Sequence, residues 1–442
     1  MSGKHQRNLS AALSHVEIDR RRLMLGGAGM GLAATAGLSA AHRAEAQGTI
    51  SFWYATNPNE TDYAKEVVAA WNESHDVQVD AQPVPAGNST EEVVLAAIAA
   101  GTTPCAFANL APAAVPQFGN ALLNLSASLD DAEDFLIERS GQEIVDQYRS
   151  ADGDLYQVPW KVNPVMIFYN TAKFEEAGLD PDNPPQTYSE ALEAMGALKD
   201  AGITPIQPSI DQTWYERWFD WYPLYLAAGN QLLLNEDATE AIFNNEAGQA
   251  AMGFWREVYA NEYAPQATAQ QDTYSQGEVA MRIAGPWAIP QIEQGGLLES
   301  TAVMSVWIPD DVTPPGELPN TFADAKNIGI FSNCDDQEAA WEFVRFYVSE
   351  ENDVKFLQMT QQIPLRQNID EIAGADTFSS HPLLQFFARQ SEFTLNVDQS
   401  EHLTDIFGII SQAYQAAAIY GEASVEDALN DAASQVNSLI GG

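Results

Sequence analysis

Between residues 214 and 225 the chain carries seven aromatic side chains: Trp214, Tyr215, Trp218, Phe219, Trp221, Tyr222 and Tyr225. Asp211, Glu216, Arg217 and Asp220 are interleaved with them. Flat apolar rings beside planar polar groups suit a ligand that offers C–H faces and hydroxyls, which is a polyhydroxylated ring. At helical spacing Trp214, Trp218, Trp221 and Tyr225 share one side, so part of the run belongs to a core helix. Trp214, Tyr215 and Arg217, at its start, are the candidates for a cleft wall. Bond-making chemistry is poorly served. Beyond the N-terminal region the histidines are His75, His381 and His402, far apart and without the HExxH spacing of a zinc site. No G-x-S-x-G nucleophile turn follows residue 46. Asp180-Pro181-Asp182 opens like a calcium loop, but Pro185 stands where the loop needs glycine and Ala191 where it needs glutamate. No catalytic residue, metal or cofactor is therefore expected. Carboxylate pairs are inevitable in so acidic a chain, and a hydrolase would need two at a separation that sequence does not show.

The 442 residues include 20 Lys and Arg against 62 Asp and Glu, a net charge of -42. Such a chain repels phosphate, which excludes nucleic acid and disfavours anionic membranes. At 45% apolar residues it is not disordered, and its length leaves room for two or three domains. Two cysteines exclude a disulfide scaffold but not a single bridge.

The first 46 residues read as an address. Arg20-Arg21-Arg22 precedes an uncharged stretch over 23–41 rich in Leu, Ala and Gly, and Ala44-Glu45-Ala46 is a small-residue cleavage site before Gln47. This is the pattern of a twin-arginine export signal, cleaved to give a soluble periplasmic protein. Its loss removes six bases and three acids, taking the net charge from -42 to -45 and leaving 59 acids against 14 bases. Many acids with few lysines keep a protein solvated in concentrated salt, which points to a halophilic or marine source.

The elements that follow are those of an α/β sheet. Gly48–Tyr54, Val77–Val79 and Cys105–Ala108 are short β-rich runs, and helical spacing over 61–74 and 91–100 separates them. Such βαβ units build a parallel sheet whose ligands sit beyond the carboxyl ends of the strands. Trp53, Tyr54 and Asn57 end the first strand and Asn109 ends the third, which makes them candidates for the site. Strands are also expected at 165–169, 278–283 and 327–331, and helices at 172–177, 188–201, 336–349 and beyond 403. Pro309–Pro319 is the clearest linker.

Tyr169-Asn170-Thr171-Ala172-Lys173-Phe174, Ala177-Gly178-Leu179 and Pro185-Gln186-Thr187 come in that order. Gln276–Met281, Gly285-Pro286-Trp287, Glu338–Phe343, Ile363–Arg366 and Gly421–Leu429 follow. This series resembles the family 1 extracellular solute-binding proteins, the maltose-binding-like receptors of carbohydrate ABC importers. The resemblance spans nearly all of 48–440. It implies a two-lobe periplasmic-binding-protein fold, with hinge strands between the lobes and the ligand in the cleft. The N-terminal lobe would take 47–158 plus 322–362, and the C-terminal lobe 159–310 plus 363–442.

The resemblance also nominates residues. Trp287 matches a tryptophan that stacks on sugar. Trp160 and Asn163 lie where the chain crosses between lobes, and Arg366 occupies a family position that is either a ligand contact or a hinge salt bridge. Asp324, Lys326 and Asn327 stand where many relatives carry glycines. In the implied topology the strand at 327–331 returns antiparallel beside the third, which leaves Cys105 and Cys334 either bridged or as two free thiols. The implied function is a monomeric periplasmic receptor that captures a neutral di- or oligosaccharide or glycoside and delivers it to the transmembrane subunits of an ABC permease. A secreted hydrolase, or the same fold around a polyol or other osmolyte, is the alternative.

Overall fold

The computed structural model describes residues 48–87, 89–208, 217–267, 272–374, 376–379 and 381–441. The export signal expected over 1–46 lies outside these residues, as do Trp214 and Tyr215.

The chain opens with strand β1 (Thr49–Tyr54), helix α1 (Pro58–Ser74), β2 (Gln78–Pro83), α2 (Thr90–Ala100) and β3 (Ala106–Leu110). β1 pairs in parallel with both β2 and β3. Local chemistry fixes the helix ends. Asn57 Oδ1 accepts the Asn59 N–H at 3.0 Å, with Pro58 at the first helical position, and Ser89 Oγ accepts the Glu92 N–H at 3.1 Å. Gly101 ends α2 at φ 66°, a conformation that an L side chain resists. A short helix α3 (Ala114–Phe118) and α4 (Ala132–Ser140) follow, then β4 (Val158–Val162).

The second sheet is built from β5 (Met166–Asn170), β6 (Thr204–Gln207), β7 (Val279–Ala284) and β8 (Thr301–Met304), in the order β6-β7-β5-β8. Its helices include α5 (Tyr188–Asp200), opened by a Thr187–Glu190 capping box, α6 (Trp218–Gly229) and α7 (Glu246–Ala260). The chain then returns through β9 (Thr321–Phe322), β10 (Lys326–Ile330), α8 (Gln337–Tyr347), α9 (Glu350–Thr360) and β11 (Ile363–Pro364). The six-stranded first sheet has the order β11-β4-β10-β3-β1-β2, with β10 antiparallel between β3 and β4. It thus extends to Val162 and Pro364, past the expected lobe boundaries after residues 158 and 362. Last come β12 (Thr394–Leu395), α10 (Leu403–Tyr414) and α11 (Val425–Ile440).

Separate apolar cores cover the two sheets. Phe52, Tyr63, Trp160, Ile328 and Phe356 anchor one, and Ile167, Trp221, Trp255, Ile283 and Ile410 the other. At about 1.5–3 kcal/mol for each fully buried large side chain, either core holds its own sheet. Between them the backbone crosses in a short ladder. Asn163 N donates to Ala323 O at 2.8 Å, Val165 N to Phe322 O at 2.9 Å, and Ala323 N to Leu395 O at 3.0 Å. This is the hinge of a two-lobe α/β fold. Cys105 and Cys334 form a disulfide, with Cα atoms 4.6 Å apart. It ties the start of β3 to the turn after β10, so the first of the two alternatives for these cysteines holds.

Candidate functional site

A cavity of about 230 Å³ lies against the hinge and takes walls from elements of both sheets. Two larger hollows, of about 640 and 600 Å³, each sit over elements of one half. The smaller cavity is the candidate because of what faces into it.

One wall is aromatic. Trp218 and Phe219 stand at the start of α6, where the Ser411 hydroxyl accepts the Trp218 N–H at 2.9 Å. The Trp218 ring stacks on Phe407 of α10, centroids 3.7 Å apart, and meets Phe322 of β9 edge-on at 5.6 Å. Phe219 carries the wall to Trp287, with centroids 6.4 Å apart. Trp287 is half-buried, its ring folded over Gly285, where a Cβ would lie 1.9 Å from it. Only glycine permits that approach.

The facing wall is polar and comes from the strand ends of the first sheet. Thr90 and Glu91 open α2, Ala111 and Pro112 follow β3, and Gln117 sits on α3. Gln117 Nε2 donates to Thr404 Oγ1 of α10 at 3.1 Å, a bond across the cleft. Gln117 Oε1 and Trp218 Nε1 are buried without a partner among the described residues. A buried acceptor and a buried donor left open beside one cavity are what a hydrogen-bonding ligand would satisfy.

The floor is charged. Asp324, in the left-handed region at φ 37°, bonds through its carboxylate to the Lys326 ammonium. Their side chains keep 16% and 23% exposure, so both still face the cavity. Behind them Lys161 Nζ meets Glu60 Oε2 at 2.6 Å, with 1% and 6% exposure. Gln362 donates to Glu60 Oε1 at 2.9 Å, and its own Oε1 accepts from Asn163 Nδ2 at 3.0 Å. Burial lowers the Lys161 pKa, with Glu60 opposing it. Burial also works against the Lys326 charge, but Asp324, with Glu91 and Glu60, outweighs it and raises that pKa above the ordinary lysine value.

Several nominated residues lie elsewhere. Trp53 packs in a separate apolar cluster of the first half, edge-on to Phe107 at 6.3 Å, and Tyr54 is 4% exposed in the first core beside Phe52, where burial raises its pKa. Neither side chain lines the described cavity, because apolar packing on both faces of the sheet buries these two alternate residues. Asn57 is the cap of α1. Trp160 packs on Phe356 in the first core, centroids 4.8 Å apart. Asn163 serves the hinge network. Arg217 is 8% exposed and acts on the phenols of Tyr259 and Tyr414, inside the second core. Arg366 donates to Asp353 Oδ2 at 2.7 Å, which Arg139 also engages at 3.0 Å, so Arg366 makes a salt bridge within the first half, and it does not line the described cavity. Asn109 is half-buried where the β3–β10 register steps from Ala108↔Ile328 to Leu110↔Asn327. It is the extra residue of a bulge, at φ 149°, two residues before Ala111.

Of the aromatic run, Trp221 and Tyr225 stack on each other at 4.7 Å in the core, while Trp218 and Phe219 line the cavity. Phe407, Thr404 and Gln117 carried no sequence signal, because they meet only through the tertiary fold.

Comparison with known proteins follows the same geometry. The profile of bacterial extracellular solute-binding proteins matches residues 66–385. The sn-glycerol-3-phosphate-binding periplasmic protein UgpB of Rhizobium meliloti is 22% identical over 435 residues, covering 90% of this chain and 95% of that one. A solute-binding protein of Thermotoga lettingae, solved with α-D-tagatose, superposes with a TM-score of 0.75 at 22% identity, covering 89% of this chain and all of that one. Maltose-bound MalE3 of T. maritima gives 0.76 at 18% identity, over 88% and 99% of the two chains. A two-lobe fold with a ligand cleft at its hinge, and a family profile that covers most of the chain, place this protein among the bacterial extracellular solute-binding proteins.

Proposed function

We propose that the protein is the receptor of an ABC importer for a neutral, polyhydroxylated solute of the sugar class. The carrying observation is the cavity itself, an aromatic wall of Trp218, Phe219, Phe322 and Phe407 facing polar groups from the other half. Rings cover the C–H face of a sugar, and amide, hydroxyl and carboxylate groups take its hydroxyls. The orphaned Gln117 Oε1 and Trp218 Nε1 await such a ligand. Trp287 and Asn109 stay in the proposed site as neighbours of the wall and of the strand end. Trp214 and Tyr215, outside the described residues, stay in the proposed site as ligand contacts on the sequence pattern alone. The solved relatives bound to tagatose and maltose support the ligand class.

Residues 1–46 act as a twin-arginine export signal, and the mature monomer works in the periplasm, where the ABC permease is its partner. Lobe motion about the ladder at 163–165, 321–323 and 394–395 opens and closes the cleft, and the Gln117–Thr404 bond across it holds the closed form. The test is a calorimetric and thermal-shift screen of the mature protein in molar salt against neutral sugars and polyols. Saturable one-to-one binding without turnover is the expected result. Turnover of a glycoside, or binding confined to charged solutes, overturns the reading.

A further inference from the structure

We propose that Asp324 makes this cleft select against anionic solutes: with Lys326 it clamps two adjacent hydroxyls of a neutral ligand, and with Glu91 it repels a phosphate or carboxylate. The inference rests on the reading of the cavity as a site for neutral polyhydroxylated solutes.

Among the described residues Lys326 is the cation that lines the cavity, and Asp324 already holds its ammonium. Lys161, the next cation behind it, is sealed from solvent and held by Glu60. Glu91 enters the same cavity from the start of α2. Any anion that reaches the Lys326 ammonium therefore has to displace one carboxylate and lie near a second, both in surroundings where charges are weakly screened. A relative named for sn-glycerol-3-phosphate makes the point sharp, because its named ligand carries the group this floor rejects.

A vicinal diol meets no such obstacle. One hydroxyl donates to the Asp324 carboxylate while its neighbour accepts from the Lys326 ammonium, so both charges stay satisfied as water leaves. The backbone fixes the geometry of the pair. Asp324 occupies a left-handed conformation in the middle of the three-residue step between Phe322, which ends β9, and Lys326, which begins β10, so its carboxylate is presented from a constrained turn. The raised pKa of Lys326 keeps the ammonium charged at neutral pH.

The experiment titrates maltose, D-tagatose, glycerol and sn-glycerol-3-phosphate into the mature wild-type protein, D324N and K326Q. It uses the lowest salt at which all three melt cooperatively. Asparagine tolerates the left-handed conformation as aspartate does, so D324N removes charge without straining the turn. Wild type is expected to bind a neutral probe and not sn-glycerol-3-phosphate. D324N is expected to lose about tenfold or more for the neutral probe, as one charge-assisted contact goes. D324N should also gain saturable binding of sn-glycerol-3-phosphate that fades as salt rises. K326Q should lose the neutral probe without gaining the anion. A wild-type protein that binds the neutral probe while D324N leaves both preferences unchanged overturns this inference and spares the proposed function. Wild-type binding of sn-glycerol-3-phosphate beside a neutral probe overturns this inference alone; wild-type binding of sn-glycerol-3-phosphate and of no neutral probe, or no binding of any probe by any form, overturns both.

Discussion

Replacing Asp353 by alanine removes the centre of the only described network in which two arginines share one carboxylate. Asp353 is 0% exposed. Its Oδ2 accepts from Arg139 Nε at 3.0 Å and Arg366 Nε at 2.7 Å, and its Oδ1 from a terminal nitrogen of Arg139 at 3.0 Å. Three charge-assisted bonds at about 1.5–3 kcal/mol each would sum to about 4.5–9 kcal/mol. They do not add, because Arg139 keeps the carbonyls of Pro159, Trp160 and Leu365 and the Ser140 hydroxyl as acceptors. The measure that fits is the cost of breaking a buried ion pair from one side, about 3–5 kcal/mol, since Arg139 is left charged at 1% exposure. Against a total stability of about 5–15 kcal/mol this is severe. Arg366→Ala leaves the Arg139–Asp353 pair intact and should cost less, about 1.5–3 kcal/mol. Urea unfolding in molar salt, followed by tryptophan fluorescence and by circular dichroism, ranks the variants. Sugar titration of Arg366→Ala should show unchanged affinity. A loss below about 1 kcal/mol for Asp353→Ala would refute the desolvation reasoning. A stable Arg366→Ala protein with tenfold weaker binding would return Arg366 to the ligand site.

Trp287→Ala should weaken sugar binding by about 0.5–1.5 kcal/mol with an unchanged melting temperature, read by calorimetry beside thermal melts. Equal affinity would remove Trp287 from the wall. With 59 acids against 14 bases after export, melting temperature should climb from low to molar sodium chloride; a flat or falling curve contradicts charge repulsion as the dominant surface effect. Thiol titration of the unfolded, unreduced protein should find no free cysteine. Reduction should then cost about 2–4 kcal/mol, as removing a bridge that closes a long loop typically does; two titratable thiols would dismiss the bond.

The first sheet was legible because its signals are local. The short β-rich runs became β1, β2 and β3, helical spacing gave α1 and α2, and the βαβ rhythm places ligands at the strand ends, where Glu91 and Pro112 do line the cavity. Which side chains reach the cleft was not legible. Trp53 and Tyr54 occupy the right end of the right strand, yet covered faces on both sides send them into cores. The aromatic run divides between wall and core at Trp218 and Trp221, three residues apart, because α6 enters the fold with only its first turn at the cavity. Arg366 and Asp353 are 13 residues apart, but the pair depends on Arg139, far earlier in the chain. Gln117 and Thr404 are separated by 287 residues, and no periodicity links them.

The place of β10 in the first sheet sets an order of assembly. Its residues, 326–330, separate β3 from β4, and β4 pairs only with β10 and β11 among the described residues. The strands of the second sheet all lie between residues 166 and 304. A chain emerging from the ribosome therefore has every strand of the later sheet before it has the middle strand of the earlier one. Until residue 330 is made, β3 waits with an unpaired edge of apolar residues, the kind of edge that recruits other chains. Cys334 follows within four residues of β10, so its bond to Cys105 locks the seam between β3 and β10, whose two strands are made farthest apart in the chain.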